Sequence, residues 1–485
     1  MFEYYNSLGA RSYYQGEGSL SCFSSLDNCL TNSTIANREI DPVAVLSILM
    51  KNYAIGTRTL IKGVERTPWM SMSDDHGGWN CADLPAHQQV KVGPEDASAS
   101  LHQHLRDEAL AFIGSKKTIG ILLSGGMDSR IVAGIVRQLQ VEGSFSGDVV
   151  ALTWGVPDSR DVLYAQKIAK AFNWEFKYFP LTAEGLARNL ELTAERGAEF
   201  SPVHLHAMES ISKMHGLEGV LAGSYGDSIG RGEYSGKRVN KLPSILDKHM
   251  NHFSFLLQSV EKKALPEIKN DLLLSRQCFS GRSEISYREI EMQMHYMRRQ
   301  LNACMEIIDD NVPLYQMFGS QDTFGYMWSL APECRNDDIY EHLLLRLPNV
   351  LQDIPWARTG KKYNQNDMSQ EDTFSALNNH YGEWLRNDLR SHVLGLINGG
   401  SLQRLGIFND KSLEMWSKCW PKTGGFKADR LDEKMAWLAS LAIFVDKYNV
   451  QGIQPKCTLK VEDSLAQAKA YIHTNLYHLA IRLKS

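Results

Sequence analysis

At 485 residues, with 43% hydrophobic and 22% charged side chains and a formal net charge of -4, the chain is long enough for two or three domains with a substantial core. No long basic block marks it for the phosphate backbone of nucleic acid, and no run of about 18 apolar residues could span a bilayer. The start, MFEYYNSLGARSYY, lacks a basic segment followed by an apolar core and a small-residue cleavage site, so a cytoplasmic protein with neither nucleic acid nor membrane as partner is expected. The eight cysteines, at 22, 29, 81, 278, 304, 334, 419 and 457, stand singly with no CxxC pair. Free buried thiols are therefore expected, rather than a zinc ribbon or a disulfide framework.

In chain order, β-prone pieces (YYNSLG, GSLSCFSS) precede a helical pattern, DPVAVLSILMKN, and then RTLIKGVERTPW. Residues 1–95 are too few for a comfortable core of their own and are expected to pack on the rest of the chain. A polar connector, VGPEDASASLHQHL, leads into an amphipathic helix near 98–114. From Thr118 strands and helices alternate: TIGILL, then RIVAGIVRQL with Ile131, Val132, Ile135 and Leu139 on one face;. VVALTW and DVLYAQKIAKAF come next, then EFKYFPL, helices near 183–196 and 205–215, and GVLAG at 219–223. Such alternation predicts an α/β fold with a parallel, doubly wound sheet, whose ligands sit at the carboxyl ends of its strands. The α/β core is placed at 115–235. The remainder, 236–485, is expected to be mostly helical, with a polar loop at TGKKYNQNDMSQED, 359–372.

The stretch ILLSGGMDSRIVAGIV, residues 121–136, puts two glycines, an acid and two serines between a buried strand and a helix. Successive backbone N–H groups in such a turn, ending on a helix N-terminus, form an anion-binding concavity. Gly125 and Gly126 permit close backbone approach, and Ser124 and Ser129 add hydroxyl donors. Asp128 suits a phosphate site only if it holds Mg²⁺, which takes carboxylate and phosphate oxygens together. The turn lacks GxxxxGK[ST], so it is not a Walker A loop.

The segment is identified as the PP-loop signature of the N-type ATP pyrophosphatases, and more of the chain resembles one family among them, asparagine synthetase of the glutamine-dependent type. The resemblance implies an adenine nucleotide alpha hydrolase-like sheet over 96–485, with a helical C-terminal part. The family's second loop, typically SGDGADELFGGY, has LAGSYGDSIGRGEY (221–234) at its place. The resemblance thus implies a nucleotide set of Leu123, Ser124, Gly125, Gly126, Asp128, Ser129, Thr153 and Gly223, with Asp128 and Asp227 as metal ligands. Thr153 and Trp154 would lie beside the adenine. Ser228 replaces the family's glutamate, and Ser224-Tyr225 replace an acidic-glycine pair. Asp322 falls on a family aspartate, with Gly319 in place of the proline. Near IPWARTGKK, Arg358, Lys361 or Lys362 is the expected cation facing the adenylate and departing pyrophosphate, with Lys361 favoured. Residues 1–70 resemble the last third of the family's glutaminase domain, whose N-terminal cysteine nucleophile is absent: residue 2 is Phe2 and the nearest cysteine is Cys22. Either the chain start as given is late, or nitrogen comes from elsewhere.

The implied reaction uses ATP and Mg²⁺: a carboxylate attacks the α-phosphorus, pyrophosphate leaves, and ammonia or an amine converts the acyl-adenylate to an amide and AMP. The amine is free ammonia, ammonia from a separate glutaminase, or an amine of the substrate. Asparagine formation, amidation of a sugar acid and peptide macrocyclisation compete within this class, and a non-catalytic nucleotide-binding partner is the reading outside it. Other clusters read more plainly. His204 and His206 project from one face of a strand and are expected to be hydrogen-bonded rather than metal-ligating. Asp74-Asp75-His76 reads as a turn. Tyr340-Glu341 is at least as much helix surface as a general-base pair. Arg298-Arg299 and Lys262-Lys263 read as solvated helix faces.

Overall fold

The computed structural model describes residues 6–19, 21–32, 35, 37–73, 78–232, 234–239, 241, 244–247, 250–362 and 374–482. Phe2, the Asp74-Asp75-His76 turn and most of the 359–372 loop lie outside the described residues. Five parallel strands form the central sheet: β1 (Thr118–Leu122), β2 (Asp148–Gly155), β3 (Glu175–Pro180), β4 (Gly219–Ala222) and β5 (Leu314–Gln316). Their order is β5-β4-β1-β2-β3, and every pairing is parallel. The chain runs outward from β1 through β2 to β3 and then crosses to β4 on the other side of β1. This places a topological switch between β1 and β4, and the crevice at the strands' carboxyl ends is where such sheets bind ligands.

Four helices shape that crevice and its support: α1 (Pro94–Ile113), α2 (Met127–Val141), α3 (Arg160–Phe172) and α4 (Asp337–Leu345). The apolar stripe of α2, with Ile131, Val132, Ile135 and Leu139 buried, packs in one core with α1, α4 and the underside of β1. The opposite sheet face packs on Leu205, Met208, Ile211 and the 303–312 segment. The alternation expected from Thr118 onward is thus present, and the expected helix near 98–114 forms as α1.

Several expectations need correction. The fifth strand was not foreseen: LYQ is three residues long, too short for a period to show, and becomes a strand because β4 offers it an edge;. Of the YYNSLG piece, Asn6–Gly9 form a 3-10 turn rather than a strand, and Tyr4 and Tyr5 lie outside the described residues. The helix expected at 205–215 shrinks to Met208–Ser212, preceded by a 3-10 turn, Pro202–His204. Cys81 is joined to Cys278, 197 residues later, in a disulfide. Pairing of such distant cysteines is a product of packing that spacing cannot report. Arg298 and Arg299 are buried, not solvated. Arg299 pairs with buried Glu199 at 2.7 Å and donates to the Gly56 and Arg58 carbonyls.

The early residues do not form a core alone. Val43, Leu46, Ile48, Leu49 and Val64 share one cluster with Leu431, Trp437, Phe444 and Val450 of the last third of the chain. The Ile40 amide donates to the Gln451 carbonyl at 2.9 Å, and the Gln451 amide to that of Arg38 at 2.8 Å. In the last third of the chain Trp416, Trp420 and Trp437 are core, and half-buried Trp384 packs against it. Among the described residues no helix is long and apolar enough to cross a membrane.

Candidate functional site

Two loops face each other across the crevice between β1 and β4. The first, 123–129, leaves β1 and enters α2 through Gly126, whose extended backbone (φ -73°, ψ 166°) puts it at the helix N-cap. The loop is tied internally. The Ser124 amide donates to Ser129 Oγ at 3.1 Å, the two hydroxyls lie 3.0 Å apart, and the Gly126 amide donates to Ser124 Oγ at 3.0 Å. The Gly125 amide faces the Asp161 carboxyl, which burial pushes up and this hydrogen bond pulls down. The donors are thus arranged around a concave turn at a helix N-terminus, a geometry suited to an anion.

Gly125 is required by space. A Cβ there would lie 2.7 Å from the Ala357 Cβ and 3.1 Å from the Arg160 carbonyl, inside carbon contact distance. Its carbonyl accepts from the Ala357 amide at 3.0 Å. Behind the loop stands Arg130, wholly buried. Its guanidinium donates to the carbonyls of Leu351, Ile354, Pro355 and Gly125 at 2.6 to 3.2 Å. Burial pushes its pKa down to about 10. One side chain thus fastens the loop to the 351–357 segment. Read in sequence as the start of an apolar helix face, Arg130 offered one signal: a lone arginine among aliphatics.

The second loop, 223–231, follows β4. Gly223 abuts the backbone of Asp128 and Ser129, where a Cβ would meet the Asp128 carbonyl carbon at 2.9 Å. The turn then widens into a π-helical stretch, Gly226–Gly230, carrying Asp227. Ser228 is buried, and its hydroxyl donates to the Tyr225 carbonyl at 3.2 Å. Arg231 closes the turn. Its Nη2 pairs with Asp227 Oδ1 and stands 3.7 Å from Asp128 Oδ2. Tyr340 of α4 is fully buried, and its hydroxyl donates to Asp128 Oδ1 at 2.8 Å and to the Gly226 carbonyl at 3.1 Å. Neither a helix-surface nor a general-base role fits it: it holds Asp128 in place. Both expected metal ligands therefore reach one cationic nitrogen.

Between the loops opens a cleft of about 320 Å³, lined by Ser124, Gly126, Asp128, Ser129, Gly223, Ser224 and Asp227. Its far wall is Trp154, His204, His206, Met208, Tyr296, Gln300 and Met305. Leu123, Gly125 and Thr153 are not in that lining. Thr153 is buried and its hydroxyl donates to the Leu123 carbonyl at 2.8 Å, bracing the loop from behind. His204 and His206 are not on a strand: they leave the 3-10 turn, His206 with a positive φ of 46°. The His206 ring lies between Trp154 and Tyr381, centroids 5.9 and 5.7 Å away, and its Nδ1 is 2.9 Å from the Tyr381 hydroxyl. Burial pushes its pKa down to about 3 and lowers that of His204, so both are neutral near pH 7.

The expected cations sit farther off. The Trp356 amide donates to the Lys361 carbonyl at 2.8 Å, closing the turn that carries Arg358 and Lys361 against the loop at Ala357. Neither side chain is in the cleft lining. Arg358 lies over the Trp356 ring at 5.6 Å, and Lys362 pairs with Asp353 at 3.2 Å. Asp322 is likewise outside the cleft. It borders a separate space of about 770 Å³, with Arg11 and Glu108. Glu108 there accepts from Thr323, Tyr315 and the amides of Gly319 and Ser320, which accounts for it structurally.

The two acids suit Mg²⁺, since carboxylates that share one cationic nitrogen can share one ion, and phosphate oxygens would complete its octahedron. Among the described residues no group of three or more His, Cys, Asp or Glu side chains could hold a metal, so an ion on this pair would draw its remaining ligands from water or a phosphate group.

Residues 102–302 match the family described as asparagine synthase. No curated protein matches the chain. Among solved structures, a predicted subunit of tRNA methyltransferase from Methanocaldococcus jannaschii is 18% identical, over 30% of this chain and 64% of that chain, with a TM-score of 0.17. NMN synthetase from Francisella tularensis is 15% identical, over 26% and 60%, with a TM-score of 0.15. The U34-tRNA thiolase from Methanococcus maripaludis is 11% identical, over 47% and 86%, with a TM-score of 0.20. This chain thus spans less than two thirds of the first two. Residues 102–302, the part that matches the asparagine synthase family, carry β1 to β4 and both loops of the cleft.

Proposed function

We propose that this chain is an ATP-dependent ligase that forms an amide bond. The observation that carries this reading is the meeting of the 123–129 loop with Asp227 across the crevice between β1 and β4. In this reading the pyrophosphate portion of ATP lies on the loop amides and the Ser124 and Ser129 hydroxyls. Mg²⁺, held by Asp128 and Asp227, would neutralise phosphate charge. A substrate carboxylate oxygen attacks the α-phosphorus, the bond to the β-phosphate oxygen breaks, and pyrophosphate leaves. An amine then attacks the acyl carbon, loses a proton, and AMP departs. The chain's contribution is position and charge: loop amides and a helix N-terminus for the leaving group, and exclusion of water. Lys361 and Arg358, on the turn that touches the loop at Ala357, are the candidates to face the adenylate. The amine is ammonia, free or from a separate glutaminase, or a group on the substrate. Aspartate, a sugar acid and a peptide are the acceptors to compare.

A second reading, a nucleotide-binding partner without turnover, has one observation in its favour. Ser228 is buried and spends its hydroxyl on the Tyr225 carbonyl, so no carboxylate stands where the related loops carry glutamate. Pyrophosphate release from Mg·ATP separates the two. The panel is aspartate with ammonium, uronic acids and peptides, with Asp128→Ala as control. Carboxylate-dependent pyrophosphate and AMP, lost in Asp128→Ala, are expected, and Asp227→Ala should raise the Mg²⁺ requirement steeply. ATP binding with no pyrophosphate from any acid would replace the ligase by the non-catalytic reading.

A further inference from the structure

Arg231 reaches both aspartates read as the metal-bearing pair. Its side chain is 6% exposed, its Nη2 pairs with Asp227 and lies 3.7 Å from Asp128 Oδ2, and its Nη1 is 3.9 Å from Asp337 Oδ1. The guanidinium also rides over the rings of Trp356 at 5.3 Å and Tyr340 at 6.0 Å. This is local design rather than chance approach. Asp227 and Arg231 are four residues apart on one turn. Gly226 lets that turn press on Asp128, since a Cβ would fall 2.3 Å from Asp128 Oδ1. The Tyr340 hydroxyl then spans both partners.

Two carboxylates brought together on opposite loops repel unless a cation sits between them. With no metal nucleotide present, that cation is Arg231. We propose that Arg231 is a built-in counter-cation of the pyrophosphate site: it holds Asp128 and Asp227 together in the empty protein and yields its place when Mg²⁺ arrives with a nucleotide. The proposal rests on the reading of these two aspartates as the metal-bearing pair. Charge balance explains the coupling. With Asp337 balanced by Arg238 at 2.6 Å, the two aspartates and Arg231 leave a net -1, and adding a divalent ion makes it +1. A buried excess of positive charge is costly, and a polyphosphate removes it by accepting from the displaced guanidinium as well as from the metal. Metal alone therefore binds poorly and metal with nucleotide binds well, a reciprocal coupling. Arg231 is in this sense a positioning residue that sets the order of assembly.

The test is Mn²⁺ binding to the full chain without nucleotide, followed by electron paramagnetic resonance, for the wild type and Arg231→Met. The variant is expected to bind Mn²⁺ about tenfold more tightly or better, the scale set by losing a half-buried pair to two carboxylates. Asp227→Asn in the Arg231→Met background should remove the gain. Equal Mn²⁺ affinity in wild type and Arg231→Met, or no binding by either, overturns the proposal. Thermal unfolding guards against a merely structural effect. Arg231→Met should melt lower than wild type without metal and recover with Mn²⁺, while Arg231→Lys keeps a cation and should resemble wild type. A loss in Arg231→Met that Mn²⁺ does not restore also overturns it. If Arg231→Met gains metal affinity while wild type releases no pyrophosphate with any acid, the counter-cation stands and the ligase reading falls.

Discussion

Arg130→Met is the substitution that most sharply tests how the phosphate loop is held. The wild-type guanidinium is wholly buried and donates to four backbone carbonyls, those of Gly125, Leu351, Ile354 and Pro355. Burying its charge costs about 3 kcal/mol, on a pKa pushed down to about 10;. Against this stand four hydrogen bonds from a charged donor, each worth roughly 1.5–3 kcal/mol. The balance favours the native arrangement by several kcal/mol. Methionine fills much of the space, but it removes the guanidinium donor from four backbone carbonyls, the loop carbonyl of Gly125 keeping the Ala357 amide. Arg130→Met is expected to lose about 3–5 kcal/mol of stability. It should also weaken binding of a non-hydrolysable ATP analogue, because the loop loses its guanidinium tie to the 351–357 segment and keeps that of the Ala357 amide. The first quantity is read from guanidinium chloride unfolding followed by fluorescence of the 10 tryptophans, and the second from titration calorimetry. Arg130→Lys, with one ammonium for four carbonyls, should fall between. A loss below about 1 kcal/mol with unchanged nucleotide affinity would refute the reasoning, because the carbonyl fan would then be incidental.

Tyr340→Phe removes the donor to Asp128 Oδ1 and to the Gly226 carbonyl. It should cost about 1.5–3 kcal/mol in unfolding free energy, and an unchanged denaturation midpoint would show that the hydroxyl does not fix Asp128. The buried, neutral His206 and His295, each pushed down to about 3 by burial, take up protons on unfolding once pH falls below about 6.5. Their contribution to stability is complete above that pH and is lost progressively down to about pH 3. Replacing either by Gln should lower the slope of unfolding free energy against pH in that window by up to about 1.4 kcal/mol per pH unit, which titration at several pH values reads directly. The Cys81–Cys278 disulfide closes a sequence separation of 197 residues, a span whose closure is worth on the order of 5 kcal/mol by chain entropy. Reduction should therefore lower the unfolding midpoint, and mass spectrometry after alkylation under denaturing, non-reducing conditions should label Cys22, Cys29, Cys304, Cys334, Cys419 and Cys457 but not these two.

What the sequence determined by itself was local. The alternation from Thr118 to Ala222 announced parallel strands and helices, because burial on both faces leaves continuous apolar runs in strands and a 3.6-residue stripe in helices. The SGGMDS turn announced an anion site, because glycines, hydroxyls and a helix start form a concavity from neighbouring residues alone. The resemblance to asparagine synthetase then brought Gly223 and Asp227 to the same place, and they line the cleft. Tertiary structure decided everything that required distant segments to meet. Arg130 reaches carbonyls more than 220 residues along the chain, and Tyr340 reaches Asp128 across 212. The strand at Leu314–Gln316 exists because β4 has an edge to fill. Arg298 and Arg299 sink into the core because Glu199 and backbone carbonyls meet them there, although a doublet of arginines on a helix reads as solvated. The physical reason is common to all of these. Periodicity and turn chemistry act over a few residues, whereas the partner of a buried charge is chosen by how whole layers pack.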